Sequence, residues 1–178
     1  MSLDLGAIEG ALVALVKTIL TTDEVIIADQ NAPRPADPYT IIKIVDIGTA
    51  GVEFSAFENQ TGADIDLIET VTAPRDLLVS FNCYFANAMT RVNKLRLLLT
   101  STASLASLKA ANLGLARRSE VRDMVSVVDG LFEERGQFDV NLYAIDSETI
   151  ITNTIQAVEI EGEIQDGVNS FDLEINVP

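Results

Sequence analysis

The first twenty residues carry an apolar stripe with helical spacing. Apolar side chains recur there at steps of three and four residues, which predicts an amphipathic helix with one face toward a core. We expect Ser2 to cap this helix and Asp4 to lie in its first turn, where the helix dipole favours an anion. The stripe consists of Leu5, Ile8, Leu12, Leu15, Val16 and Ile19.

Two later segments, residues 77–85 and 137–144, alternate between apolar and polar side chains and predict strands with one buried face. Pro74 predicts a turn that separates the first of them from another strand at 65–71. Residues 40–47 are apolar on both faces, so this strand should lie inside a sheet. Shorter apolar runs predict strands at 24–29, 113–118 and 124–128.

Helical spacing returns in the middle of the chain, at residues 86–99 and 101–111. The first segment places its apolar residues on one face and its basic residues away from it. In the second segment we expect Leu105 and Leu108 to face inward. The two segments together predict a central helix pair.

The order of these elements predicts an α+β fold. We expect a mainly antiparallel β-sheet, flanked by the N-terminal helix and the central helix pair, with a C-terminal β-hairpin formed by residues 155–164 and 171–177. Residues 1–150 should form the main domain, and residues 151–178 should form a hairpin extension packed on the same domain.

The composition of the chain limits the kinds of catalytic and metal-binding sites that it can form. A chain of 178 residues can bury a core without a disulfide or a metal. It has no histidine and one cysteine, Cys83, which removes imidazole-based catalysis and multi-cysteine zinc sites. No phosphate-binding glycine loop and no nucleophile elbow occur. We therefore expect no enzyme activity, no cofactor and no metal, and we interpret Cys83 as a small buried apolar residue.

The net charge is −15, from 12 basic and 27 acidic residues. This balance argues against a protein that grips nucleic-acid phosphates over its whole surface, and against docking on an anionic membrane. Seven basic residues and one acidic residue lie between positions 91 and 122, a net charge of +6, whereas five basic and 26 acidic residues elsewhere give −21. Candidate subunit contacts in the basic segment are Arg91, Lys94, Arg117, Arg118 and Arg122.

Such an asymmetry suits a head-to-tail ring, in which a basic flank of one subunit meets an acidic flank of the next. The plain alternative is that the cations form the solvated face of the helix pair. Glu159, Glu161 and Glu163 stand two residues apart and share one face of a strand. They are candidates for an acidic contact surface or for the lining of a channel, and the alternative is again a solvated face.

Two motifs resemble the neck or tail terminator family of tailed bacteriophages. One is the segment QNAPRPADPY, which leads into the second strand, and the other is EERGQFDV, which leads into a late strand. The resemblance covers roughly residues 5–145, so the final strands lie beyond it. In this family an aromatic–glycine pair is usual at the passage from strand to helix, where this chain has Tyr84 and Phe85. The motif residues are Asn31, Pro33, Arg34, Pro35, Tyr39, Glu133, Arg135 and Asp139.

The prolines of the first motif fix φ and should stiffen the connector before the second strand. A functional alternative pairs Arg34 with Asp139 or Glu134, a partner that Arg135 could equally take. We favour the structural interpretation of this segment.

The resemblance implies a structural protein of the virion, made in the host cytoplasm. It implies a homohexameric ring at the head–tail junction, which ends the tail tube and docks to the head connector. Its partners would be other copies of itself, the tail tube protein and the head connector protein, while DNA passes through without specific binding. The alternatives are a stopper or tail-completion protein, a carbohydrate- or host-binding module, and a carboxylate-dependent hydrolase.

Overall fold

A computed structural model describes residues 2–31, 33, 35–36, 38–59, 67–128 and 131–152. Three helices and nine strands are found among them, in an order that confirms the predicted α+β class. The predicted C-terminal hairpin lies outside the described residues. The elements are α1 Leu5–Ile19, β1 Glu24–Ile27, β2 Tyr39–Thr49, β3 Phe54–Asn59, β4 Leu67–Tyr84, α2 Ala88–Leu98, α3 Thr102–Ala110, β5 Gly114–Arg118, β6 Arg122–Asp123, β7 Ser126–Val128, β8 Leu131–Glu133 and β9 Arg135–Thr152.

Seven strands form one mixed sheet with the order β1-β2-β4-β9-β5, in which β3 also pairs with β4 and β6 with β9. The pairs β2–β4, β5–β9 and β6–β9 are antiparallel, as predicted. β1 pairs with β2 in parallel, which makes the sheet mixed. β7 and β8 form a separate antiparallel pair.

Helix α1 begins after Asp4, whose carboxylate accepts a hydrogen bond from a backbone amide of the first turn. The side chain of Asp4 accepts a hydrogen bond from Ala7 N at 3.0 Å, so Asp4, and not Ser2, is the N-cap. Five residues of the predicted stripe are buried, whereas Leu5 is exposed at the start of the helix.

Strand β4 runs without a break through Pro74, so the turn predicted there is wrong. Pairing with β2 ends at Arg75, one residue away, where Thr49 is its partner. Pro74 cannot donate a hydrogen bond, but its carbonyl oxygen accepts one from Ala50 N at 2.9 Å. Proline is tolerated at this place because the strand needs an acceptor and no donor there.

The core lies between the helices and one face of the sheet. Phe81 of β4 and Phe138 of β9 stack there with ring centroids 5.2 Å apart. α3 contributes Leu108, whereas Leu105 is exposed, so its predicted inward orientation is wrong. The fully buried side chains are Phe81, Phe138, Leu12, Ile42, Leu77, Leu95, Leu99, Leu142, Val16, Val79, Val92 and Val140.

The chain divides into two compact units. The first, which we call the core unit, comprises Met1–Glu53 and Thr72–Ser147. The second comprises Phe54–Val71 and Glu148–Pro178. Its described part contains β3 and the ends of β4 and β9. The predicted division of the chain at residue 150 concerns a hairpin outside the described residues, so it stays a prediction.

Candidate functional site

The two sequence motifs meet at an aromatic cluster in the core unit. Tyr39, from the first motif, stacks on Tyr84 with ring centroids 4.7 Å apart and planes 7° apart. Phe85 meets Tyr39 edge-on at 5.7 Å. The guanidinium of Arg135, from the second motif, lies over the Tyr84 ring, 5.3 Å from its centroid. Tyr84 therefore joins the two motifs through stacking and a cation–π contact.

Arg135 is fixed in this position by an amide on the neighbouring strand. Its Nε and Nη2 donate to Oδ1 of Asn82 at 3.2 and 2.8 Å. Asn82 is buried, so this contact satisfies an acceptor that water does not reach. Arg135 thus takes an amide partner and not the carboxylate of Asp139 or Glu134 that the sequence suggested. Arg34 lies outside the described residues.

The second motif also anchors the start of α2. Phe85 N donates to the carbonyl oxygen of Glu134 at 3.0 Å, and Ala88 N donates to its carboxylate at 3.4 Å. Phe85 and Asn87 have φ values of 68° and 62°, in the left-handed region that favours glycine. Phe85 therefore occupies a backbone conformation that glycine would adopt without strain.

Gly136, within the second motif, allows β9 to approach α2 closely. A Cβ at this position would lie 2.6 Å from Cγ1 of Val92 and 3.0 Å from the carbonyl oxygen of Ala88. Contacts this short force neighbouring atoms to move. The requirement for glycine here is therefore steric.

A buried ion pair joins the end of α1 to α2. The guanidinium of Arg91 contacts Oδ2 of Asp23, whose side chain is fully buried, and also donates to the carbonyl oxygen of Tyr84. The hydroxyl of Thr40 donates to the same carboxylate oxygen at 2.8 Å and lies 3.3 Å from Sγ of Cys83. Arg91, a candidate for contact with another subunit, thus pairs inside its own chain.

Burial controls the chemistry of Cys83. Its side chain is fully buried in the core, and desolvation raises the pKa of the thiol to about 11. The hydrogen bond with Thr40 and the charge of Arg91 oppose this rise and are outweighed. The thiol therefore stays protonated at neutral pH. Because the thiolate is the reactive form of cysteine, Cys83 should be unreactive.

Asp139, near the end of the second motif, connects the edge of the sheet to the segment before β6. Its backbone exchanges two hydrogen bonds of 2.8 Å with Ser119, since Asp139 N donates to Ser119 Oγ and Ser119 N donates to Asp139 O. Its carboxylate accepts from Gln137 Nε2 at 3.2 Å and lies 3.8 Å from Nη1 of Arg122. These contacts hold the segment between β5 and β6 against β9.

The other motif residues lie near the first two strands or in β8. Asn31 and Pro33 are exposed, and Glu133 in β8 is buried. Pro35 is half-buried and, with Pro33 and Tyr39, lines a hollow of about 180 Å³ beside β1.

The predicted basic contacts separate into internal and outward-facing groups. Arg118 donates to the carbonyl oxygen of Arg96, while Arg96 donates to Ser119 O at 2.7 Å and pairs with Glu120 at 3.1 Å. Lys94 and Arg117 are exposed, with no ion pair among the described residues. These two lie exposed on α2 and β5, while Arg122 on β6 is exposed and pairs with the carboxylate of Asp139 at 3.8 Å.

Acidic charge is concentrated in the second compact unit. Phe54–Val71 and Glu148–Pro178 contain eleven acidic residues and no basic residue, so the unit carries −11 of the net charge of −15. We call it the acidic unit. Glu159, Glu161 and Glu163 belong to it and lie outside the described residues.

Two kinds of feature are absent from the residues that the structure describes. No group of three or more Asp, Glu, Cys or His side chains is arranged to hold a metal ion in the described ranges. None of the described helices is long and apolar enough to cross a membrane. The polar contacts found around the motifs connect strands and helices to one another.

The fold and the motif contacts define an α+β protein, in which the residues of both motifs hold the scaffold together. A family model for the phage neck terminator protein matches residues 6–168. The chain belongs to this family, and the resemblance carried by the two motifs is confirmed. Membership gives the chain a structural role in the neck of a tailed phage. The match continues past residue 145, where the resemblance was expected to end. Comparison with curated proteins gives no match.

Proposed function

We propose that the chain forms a homohexameric ring at the head–tail junction, where it ends the tail tube and docks to the head connector. Family membership supports a place among the virion components of the neck. The observation that carries the proposal is the division of charge. An acidic unit without any basic residue accompanies a core unit that carries all 12 basic residues. The core unit as a whole is only weakly acidic, with 12 basic and 16 acidic residues. Its exposed cations can meet the acidic unit of a neighbouring copy, and contacts between two such different surfaces favour head-to-tail assembly with a fixed register.

The cations proposed for subunit contacts are those that the chain itself leaves exposed. Lys94 and Arg117 have no internal ion pair among the described residues, and Arg122 lies 3.8 Å from its nearest carboxylate oxygen. Surface pairs of this kind contribute only about 0–1 kcal/mol each, so they select the geometry of assembly more than its strength.

The role in the neck is tested by phage particles assembled without the chain. We expect filled heads and tails to accumulate separately, and we expect a copy of the gene supplied in trans to restore joined particles. The control supplies the same gene with an early stop codon. Normal numbers of joined, infectious particles in the absence of the chain would contradict the proposal.

We further propose that Glu159, Glu161 and Glu163 face the path of the DNA. Six copies of the chain carry a formal charge of −90, and the repulsion of phosphates would let DNA slide without sticking. At physiological salt this repulsion acts within about 8 Å of the wall. Replacing the three residues with glutamine should slow DNA ejection, most strongly at low salt.

A matched control removes the same charge outside the acidic unit, through Glu9→Gln, Glu24→Gln and Asp46→Asn. These variants should eject DNA at the wild-type rate. Unchanged ejection from intact particles that carry the Glu159, Glu161 and Glu163 substitutions would show that the acidic face does not serve the passage of DNA.

A further inference from the structure

The two-stranded sheet of β7 and β8 carries an exposed apolar pair. Val127 and Phe132 are direct cross-strand partners, so their side chains share one face of this hairpin. Their exposed fractions are 64% and 84%. Two strands of three residues are only marginally stable in isolation. An exposed apolar face on such a hairpin therefore points to a partner surface.

A groove at the other end of the core unit offers such a surface. It lies between the start of α1, the end of α3 and residues 144–145 of β9, with a volume of about 690 Å³. Sites that bury drug-sized ligands fall in the range of about 300–1,000 Å³, so the groove has room for two apolar side chains. Its apolar lining includes Leu3, Ile8, Ala110, Ala111, Leu113 and Ile145.

The hairpin cannot reach the groove of its own chain. Met124 N, at the base of the hairpin, donates to the carbonyl oxygen of Arg135, and Ile145 lies ten positions after Arg135 in β9. At about 3.3 Å per residue, this stretch of strand is roughly 33 Å long. A strand of three residues spans only about 10 Å. Any contact between the two surfaces is therefore intermolecular.

The hairpin segment is acidic, whereas the rim of the groove at the end of α3 is basic. The hairpin segment, residues 123–134, contains four acidic residues and no basic residue. At the rim of the groove, Lys109 is exposed and directly precedes Ala110 of the lining. The one charged side chain of the groove lining, Asp4, accepts a hydrogen bond from Ala7 N within its own chain. An acidic segment beside the apolar pair and a cation beside the apolar groove favour one orientation of docking.

We propose that the β7–β8 hairpin of one copy of this chain docks into the groove between α1, α3 and β9 of the next copy. Phe132 and Val127 fill the groove, and the acidic segment lies beside Lys109. This contact joins two different surfaces, so it repeats head to tail and closes a ring when the rotation per subunit allows it. The inference rests on the proposed ring and names the surfaces that build it.

Paired cysteines test this contact. Phe132→Cys and Ala110→Cys both alter exposed side chains, one on the hairpin and one in the groove. A short bis-maleimide linker joins them without requiring disulfide geometry. The native Cys83 is buried and protonated, so it should not react. The variant with both substitutions should give a ladder of cross-linked multimers on a denaturing gel, whereas each single variant should stay at the monomer position.

A matched control combines Phe132→Cys with Leu97→Cys. Leu97 is 65% exposed on α2 and does not line the groove, so this pair should give no ladder. Equal ladders from both pairs would reveal random collision and overturn the docking proposal. No ladder from Phe132→Cys with Ala110→Cys would overturn it as well.

The solution mass separates this proposal from that of the ring. A wild-type ring without a ladder would overturn hairpin docking and leave the ring intact. A specific ladder without a closed ring would support hairpin docking and contradict self-assembly of the ring. Phe132→Ser should weaken self-association at least tenfold with an unchanged melting temperature, whereas Leu97→Ser should alter neither. Wild-type association of a folded Phe132→Ser variant would also overturn the docking contact.

Discussion

Replacing Gly136 with alanine tests the close approach of β9 to α2. The new Cβ would lie 2.6 Å from Val92 Cγ1 and 3.0 Å from the carbonyl oxygen of Ala88. The added methyl group meets a buried side chain and a helix backbone, and such overpacking costs about 1–3 kcal/mol. The lower conformational entropy of unfolded alanine returns about 0.4–1 kcal/mol. We therefore expect the free energy of unfolding to fall by roughly 1–2 kcal/mol.

The assay is thermal and urea unfolding followed by circular dichroism. A chain of this size loses about 2–4 °C in melting temperature per kcal/mol, so Gly136→Ala should lower the midpoint by roughly 2–8 °C. Gly10→Ala is the matched control. A Cβ at Gly10, inside α1, has no atom within 4 Å, so this change should stabilise the chain by about 0.5–1 kcal/mol.

A second variant tests whether the contact with Val92 causes the loss. Val92→Ala removes Cγ1, so Gly136→Ala should cost at least about 0.5 kcal/mol less in that background than in the wild type. A Gly136→Ala protein as stable as the wild type, or strictly additive losses in the double variant, would refute the steric argument.

Three further predictions concern the buried polar groups. Asp23→Asn leaves the buried guanidinium of Arg91 without its counter-charge and should lower the free energy of unfolding by about 3–5 kcal/mol in urea titrations; an unchanged midpoint would contradict this. Arg135→Lys loses the two-point contact with Asn82 and should cost about 1–2 kcal/mol in the same assay, whereas wild-type stability would show that the contact is dispensable. Burial raises the pKa of Cys83 from 9.0 to about 11, so its contribution to stability is complete below pH 9 and is lost as pH rises toward 11. Wild type should therefore lose roughly 2–3 kcal/mol more than Cys83→Ala over that interval, and parallel pH curves would contradict the shift.

The sequence pattern predicted those helices and strands whose apolar residues recur with a regular helical or strand spacing. The buried positions of α1 and the inward-facing residues of β4 and β9 were predicted, because burial on one face leaves a direct trace in the spacing. Pro74 misled the prediction because its effect depends on the neighbouring strand. Its carbonyl oxygen meets Ala50 N, a contact that no local pattern encodes.

The junction of the two motifs was only partly predictable. The motifs indicated the family, and Tyr84 was noted only at the passage from strand to helix. Its contacts with both motifs, which it lies outside, left no trace in the sequence. The buried pair of Asp23 and Arg91 left no signal, because a carboxylate just before a strand is typical of a solvated turn. The sequence did not reveal why residue 136 must be glycine, since its steric role depends on a helix more than forty residues earlier in the chain.

The central claim is a ring of six subunits, and its most direct test is the solution mass from light scattering over a concentration series at low and high salt. The account predicts a species near 115 kDa, six times the 19.2 kDa chain. The fraction of protein in this species should rise with protein concentration and fall at high salt. A species of 19.2 kDa at every concentration and both salt levels would contradict self-assembly through the charged surfaces.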